Sequence, residues 1–248
     1  FPILMISNVN LIGQGEDVTI IDAEQTGGVI KLDNCQNNII SDLTITGGSG
    51  GLYNGGGMHL LYSHPQLMHL TISGNYGGAG GGIEMTRSNP IIADVTISGN
   101  STGHKGGGMY LHFSDPILNH VIISDNTADT GGGLCLDYSD PTLTHVTISG
   151  NTANNAGGGM YLSSSYPTLT NVTISGNTAT RWGGGVRFNE SNPTLTNLTI
   201  TGNTASVGGG GVRLRESGVN LINCIPYLHI RSYNISFHYL NVLSVSDK

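Results

Sequence analysis

The sequence has almost no helix signal: apolar residues three and four apart are nowhere sustained. Charge is scarce, at 10% of 248 residues, with nine Lys+Arg against sixteen Asp+Glu and a net charge of −7. No basic stripe is available to neutralise phosphates, which argues against a nucleic-acid partner. No apolar run approaches the ~18 residues of a helical membrane span. The opening FPILMI is too short for the apolar core of a secretion signal and carries no basic residue. A secreted chain would have lost its signal or carried it outside this sequence. Cysteine is limited to Cys35, Cys135 and Cys224, at unrelated points of the pattern described next. They suggest neither a metal knuckle nor a disulfide framework. Disorder is excluded by a hydrophobic content of 37% combined with low charge. Collagen is excluded because the 39 glycines do not fall at every third position.

What the chain does have is a clock. Glycine triplets begin at Gly55, Gly80, Gly106, Gly131, Gly157 and Gly183, in steps of 25, 26, 25, 26 and 26. Proline keeps the same time at Pro65, Pro90, Pro116, Pro141, Pro167 and Pro193. Serine does so from Ser63 to Ser217, and asparagine at Asn75, Asn100, Asn126, Asn151, Asn177 and Asn203. Between these markers the apolar spacing is two, as in Met160-x-Leu162 and Val172-x-Ile174, which is strand periodicity. About three short strands per unit are expected. A unit of this size cannot bury its own apolar face, so it must stack on its copies. The expected fold is all-β: a single parallel β-helix of 25–26 residues per coil. The glycines would serve tight corners and close backbone approach. The asparagines would point inward and stack as a ladder, with the serines doing the same at another corner.

The recurrent GGG-M-x-L and T-I-S-G-N-T-A resemble the right-handed parallel β-helix proteins of the pectate-lyase-like superfamily. They are most similar to bacterial secreted and surface β-helix repeats, including polymorphic outer-membrane-protein repeats. The resemblance spans about residues 18–225 and implies a secreted or cell-surface protein, part of a larger multidomain chain. Residues 1–54 read as an entry coil and 55–225 as regular coils. Residues 226–248, which contain no glycine, read as a cap or an irregular tail. The motif residues are scaffold, and the superfamily includes lyases, hydrolases, esterases and binding modules, so function has to be read from the outward positions.

Residues one period apart become neighbours on adjacent coils. The first outward column after the triplets is Lys31, His59, Glu84, Tyr110, Cys135, Tyr161, Arg187, Arg213; the second includes His112, Asp137 and Asn189. Tyr138 lies beside them, and Lys105, Arg181 and Trp182 enter from the preceding loops. Aromatics mixed with both charge signs suit a long saccharide. The expected function is an extracellular polysaccharide-binding module for a plant or other cell-wall glycan. Glu84, Tyr110, His112, Asp137, Tyr138, Tyr161, Trp182 and Arg187 are the candidate contacts. The alternative is a polysaccharide lyase, with His112, Asp137 and Arg187 as its candidate catalytic residues and His112–Asp137 as a dyad. For such an enzyme the resemblance implies Ca²⁺. Glu84, Asp137 and Arg187 stand two coils apart in turn, which is loose for a shared calcium site. The signatures of polygalacturonases and pectin esterases are absent, so the residues favour binding over turnover.

Two further columns carry readings of their own. His69, Asp94, His120 and His145 fall at one corner of successive coils and are candidate ligands for a transition metal. Thr142-x-Thr144, Thr168-x-Thr170 and Thr194-x-Thr196 form a flat array resembling ice-binding solenoids, although earlier coils do not comply. An ice-binding, structural or adhesin stalk is the third reading.

Overall fold

The computed structural model describes residues 1–51, 54–222, 224–226, 230–233 and 237–241. Among the described residues there is no helix, and every strand pairing is parallel. The chain winds through three sheets. Sheet A holds the strand that follows each glycine triplet, in the order Ile3–Leu4, Ile30–Asp33, Met58–Leu61, Ile83–Thr86, Met109–His112, Leu134–Asp137, Met160–Ser163, Val186–Asn189, Val212–Arg215 and Ile230–Tyr233. Sheet B carries two segments per coil, fused into Gln66–Ser73 and Ile91–Ser98 in the early coils and separate later, as in Thr142–Thr144 and Thr147–Ser149. Registers follow the sequence clock: Met109 pairs with Ile83 and Leu134, and Thr168 with Thr142 and Thr194.

Sheet C was not expected. Its six short strands, including Thr127–Thr130, Thr152–Ala156 and Thr178–Ala179, come from the stretch read as a plain corner. The reason is local. After each inward asparagine, one residue points out and the next, Ala128, Ala153 or Ala179, is fully buried. Earlier coils place Gly77 and Thr102 at the same position, so the period-two signal is too short and too weakly apolar to read as a strand.

The inward positions of all sheets form one continuous core of Ile, Leu, Val and Met, with Phe188 as its largest member. Two polar ladders run through its corners. Each ladder asparagine donates from Nδ2 to Oδ1 of the next, from Asn75 to Asn203, at 2.9–3.1 Å. Each ladder serine accepts the backbone N–H of the serine one coil earlier and donates to the carbonyl two residues before itself. Cys35 occupies the first place in the serine series, donating its N–H to Ser63 Oγ at 2.9 Å. All three cysteines are buried thiols, unpaired with one another.

The tail expected as a cap lies partly outside the described residues. Its described backbone goes on stacking, with Ile230–Tyr233 against Val212–Arg215 and Phe237–Asn241 against Val219–Ile222. Sheet pairing therefore continues after the glycine clock has stopped.

From Gly55 to Asn203 coil length varies in one place only. Triplet to proline and proline to asparagine are both constant: Gly80 to Pro90 to Asn100, Gly131 to Pro141 to Asn151. The step from asparagine to the next triplet is five residues at Asn75–Gly80 and Asn126–Gly131, but six at Asn100–Gly106, Asn151–Gly157 and Asn177–Gly183. The register of sheet C slips there too, between Ala128 and Thr130. This stretch forms one lip of the outer face of sheet A. Rigid sheets with a variable margin are the usual arrangement for recognition.

Candidate functional groove

The floor of the groove is the outward side of sheet A, and it is less exposed than a solvated sheet. Glu84 is 4% exposed, Asp137 6% and Cys135 0%, while Tyr110, Tyr161, Arg187 and Arg213 are half-buried. The asparagine-to-triplet loops rise on one side. On the other stands a rim formed by Tyr62, Arg87, Phe113, Tyr138, Ser164 and Glu190, each with positive φ. Bulky residues rarely adopt that conformation. Here they line up as Arg87 over Tyr62 and Phe113 at 5.7 and 5.2 Å, and Phe113 stacked on Tyr138 at 5.2 Å.

Three polar groupings occupy the floor. At the N-terminal end Glu84 is enclosed rather than presented: Oε2 contacts His59 Nδ1 and Oε1 accepts from Thr86 Oγ1 at 2.7 Å. In the middle, Asp137 Oδ2 accepts from Lys105 Nζ at 2.5 Å and from Tyr110 Oη at 2.9 Å. This triad lies beside a cavity of about 380 Å³ lined by Gly78, Ala79, His104, Lys105, Tyr110, Asp129 and Thr130. At the C-terminal end the Trp182 ring lies under the guanidinium carbons of Arg181 (4.3 Å), Arg187 (4.7 Å) and Arg213 (5.7 Å).

The electrostatics hold these groups in their ordinary forms at neutral pH. Burial pulls the Lys105 ammonium down, but the hydrogen bond and charge of Asp137 outweigh it and the net movement is upward. Burial, reinforced by Asp137, pushes the Tyr110 phenol well up. Burial also raises Tyr161, against the opposing charge of Arg187. The Cys135 thiol is driven far up by burial and then by Asp137. Lysine is thus held charged, and both phenols and the thiol neutral; none of them is a base near pH 7.

Each raised group adds stability below its unfolded pKa that is lost as pH rises through its folded value. The ordinary values are 10.5 for Lys105 and 10.0 for Tyr110. The melting temperature should therefore fall as pH passes about 10. In Lys105→Met and Tyr110→Phe that alkaline fall should be shallower in thermal scans from pH 8 to 11. Equal slopes in wild type and both variants would contradict the assignment.

Several sequence expectations need correction. His112 and Asp137 are register partners, but they form no dyad. Asp137 is taken by Lys105 and Tyr110, while His112 stacks on Tyr110 (6.1 Å) and meets the Phe113 ring at a tilt (4.4 Å). Trp182 is not an open platform, since cations cover it, whereas Tyr138 has Phe113 on one side and is 56% exposed. Calcium does not fit: both floor carboxylates are consumed internally. Among the described residues no group of His, Cys, Asp or Glu is arranged to hold a metal.

The metal column fails for a reason visible in the backbone. His69, Asp94, His120, His145, Asn171 and Asn197 all have φ between 48° and 55°. This is a left-handed corner, and Asn, Asp and His are the non-glycine residues most often found there. The rings of His120 and His145 stack at 4.9 Å instead of converging on a point. Asn197 donates to Asn171 Oδ1 at 2.9 Å. Position in the corner accounts for residue type. The threonine array is in register on the outer face of sheet B, beside exposed Ile91, Ile117 and Ile122.

Coils of parallel strands stacked on internal Asn and Ser ladders, with a groove along one face, define a parallel β-solenoid of the β-helix class. The model of the family described as right handed beta helix region matches residues 5–165 and 129–236. The chain belongs to that family, and its coils are right-handed. No curated protein and no solved structure matches it.

Proposed function

We propose that the groove over sheet A binds an extended polysaccharide at the cell surface or outside the cell. One observation carries the reading. Buried polar atoms with no partner inside the protein gather along this groove: His112 Nδ1, Arg187 Nε and Asn189 Oδ1 on the floor, and Asn155 Oδ1 in the loop stretch of the lip. Outside it, Asn38 Oδ1 is the remaining case of this kind among the described residues. A buried group left unpaired costs about 1–3 kcal/mol, a penalty that a hydroxyl-rich ligand relieves. The groove runs across successive coils, so it suits a polymer better than a single small molecule. Cell-wall glycan, plant or other, has that chemistry.

Binding without turnover follows from the protonation states. Lys105, Tyr110 and Tyr161 offer donors, not bases. The feature favouring a lyase is Arg187, whose guanidinium is lowered by burial and by Arg213, Arg215 and Arg181, with Tyr161 opposing. A panel of glycans should be run for gel retardation and for ultraviolet-absorbing unsaturated product. Retardation without product is the expected result, and product would transfer the reading to a lyase. Lys105→Met and Tyr161→Ala should each weaken retention about 10-fold or more, the loss of roughly one good polar or stacking contact. Retention unchanged in both variants would remove the groove from consideration.

A further inference from the structure

We propose that Arg181, Arg187 and Arg213 around Trp182 form a site for a tetrahedral oxyanion, a sulfate or phosphate ester. The proposal rests on the groove reading and names the substituent that the bound glycan carries at this end.

The first observation is a conflict in the sheet. Arg187 pairs in register with Arg213, so two arginines stand opposite each other on successive strands of sheet A. Like charges directly opposite on neighbouring strands destabilise a sheet. The chain as a whole is acidic, with net charge −7 and only nine Lys+Arg. Placing Arg181, Arg187, Arg213 and Arg215 in one neighbourhood therefore runs against the rest of the composition.

The second observation is how these charges are held. Arg215 has a carboxylate partner, Glu216, at 3.4 Å. Among the described residues no carboxylate lies within ion-pair distance of Arg181 or Arg187. Arg187 Nε is buried and without a hydrogen-bond partner. The indole of Trp182 supplies cation–π attraction to three guanidinium groups. That attraction offsets part of the repulsion and fixes the planes of the forks, but a ring face accepts no conventional hydrogen bond from Arg187 Nε.

The third point is stoichiometric. The guanidinium groups arise from a loop and two successive strands, the strands about 4.8 Å apart. A carboxylate is planar, and the acceptor sites of its two oxygens lie in one plane. A sulfate or phosphate ester turns three oxygens outward and can accept from forks approaching along different directions. Three forks on separate backbone segments match that geometry better than they match a uronate.

The chain contains one tryptophan, so intrinsic fluorescence reports this site directly. Wild-type protein should be titrated at constant ionic strength with sulfate, inorganic phosphate, acetate and chloride. Saturable change with sulfate or phosphate, and none with acetate or chloride, is expected; comparing the two active ions identifies the ester. R187Q and R213Q should each weaken the response about 10-fold, and R187Q should melt no earlier than wild type, because a like-charge contact is relieved. In gel retention, dextran sulfate or a phosphorylated dextran should be held more tightly than polygalacturonate, and that preference should vanish in both variants.

Acetate matching sulfate, polygalacturonate held best, or silence to every ion would overturn the proposal. Dextran sulfate retained equally by wild type and R187Q would also overturn it while leaving the groove reading intact. A saturable sulfate response with no polymer retained would do the reverse: the ion site stands and the glycan reading falls.

Discussion

Gly132→Ala is expected to leave no cooperatively folded protein at room temperature. A Cβ at this position would lie 2.5 Å from Gly158 O and 2.5 Å from Thr152 O, with Thr152 C at 2.7 Å. These obstacles are backbone atoms. The Gly158 backbone is fixed by the rung above, its N–H donating to Gly183 O at 3.0 Å. Thr152 is held in sheet C by its N–H donated to Asn126 O at 2.9 Å. Neither can withdraw without breaking its own ladder. The same contacts recur at Gly107 and Gly158, so a shift accommodated on one rung collides on the next. The cost belongs with the largest overpacking effects, beyond the usual range of about 1–3 kcal/mol.

Gly176→Ala is the control. Its φ is 63°, yet the nearest atom a Cβ would meet is Gly150 N at 3.9 Å. Only left-handed strain remains, about 1–2 kcal/mol, a fall of roughly 2–8 °C in a domain of this size. Circular-dichroism melts of the two variants separate close approach from conformational freedom. Gly132, unlike Gly176, is not left-handed, so equal losses would mean that the neighbouring backbone yields to the new methyl.

That distinction also shows what the sequence could reveal. Residues that repeat because the backbone requires them were legible: the triplet glycines, Asn151 and its equivalents, and Ser139 and its equivalents. The alternation of Leu134 and Leu136 with Cys135 and Asp137 gave the inward and outward faces. The left-handed rim and corner were harder. A column of Tyr62, Arg87, Phe113 and Tyr138 does not look like one backbone state, and His69 to His145 looked like chemistry when it was geometry.

The groove was only half visible. Column arithmetic placed Tyr110, Asp137, Tyr161 and Arg187 on one face, because sheet registers follow the period. It could not say which partners their side chains choose. Asp137 bonds Lys105, which enters from a loop outside the strand pattern, and Glu84 turns to its column neighbour His59. The missed signal was the five-or-six-residue step between asparagine and glycine. That variable stretch marks the lip that brings in His104, Lys105, Arg181 and Trp182.

Asn151→Ala should cost about 4 kcal/mol or more, estimated from four buried hydrogen bonds lost together. Asn151 Oδ1 accepts from Asn126 N and Asn126 Nδ2, both at 3.0 Å. Its Nδ2 donates to Ile123 O and Asn177 Oδ1, both at 2.9 Å. The side chain is fully buried. Deletion strands two donors of Asn126 and the carbonyl of Ile123. At roughly 2–4 °C per kcal/mol for a chain of this length, the melting temperature should drop by ~10 °C.

Position along the ladder sets the size of the effect. Asn203 accepts from Asn177 and donates to Ile174 O at 2.9 Å, but among the described residues no further asparagine receives its amide. Asn203→Ala should therefore cost less than Asn151→Ala. In a stack whose units contact only their neighbours, a break in the middle also uncouples two halves, whereas a break at the end frays one coil. Asn151→Asp should be worse than Asn151→Ala. The carboxylate still accepts from Asn126, but it faces Ile123 O and Asn177 Oδ1 with no proton to give, and it is a buried charge without a cation. The order expected in denaturant melts is N151D least stable, then N151A, then N203A, then wild type. If N151D proved as stable as N151A, water would have to reach the ladder, and the ladder would not be the dry hydrogen-bonded spine on which the coils depend.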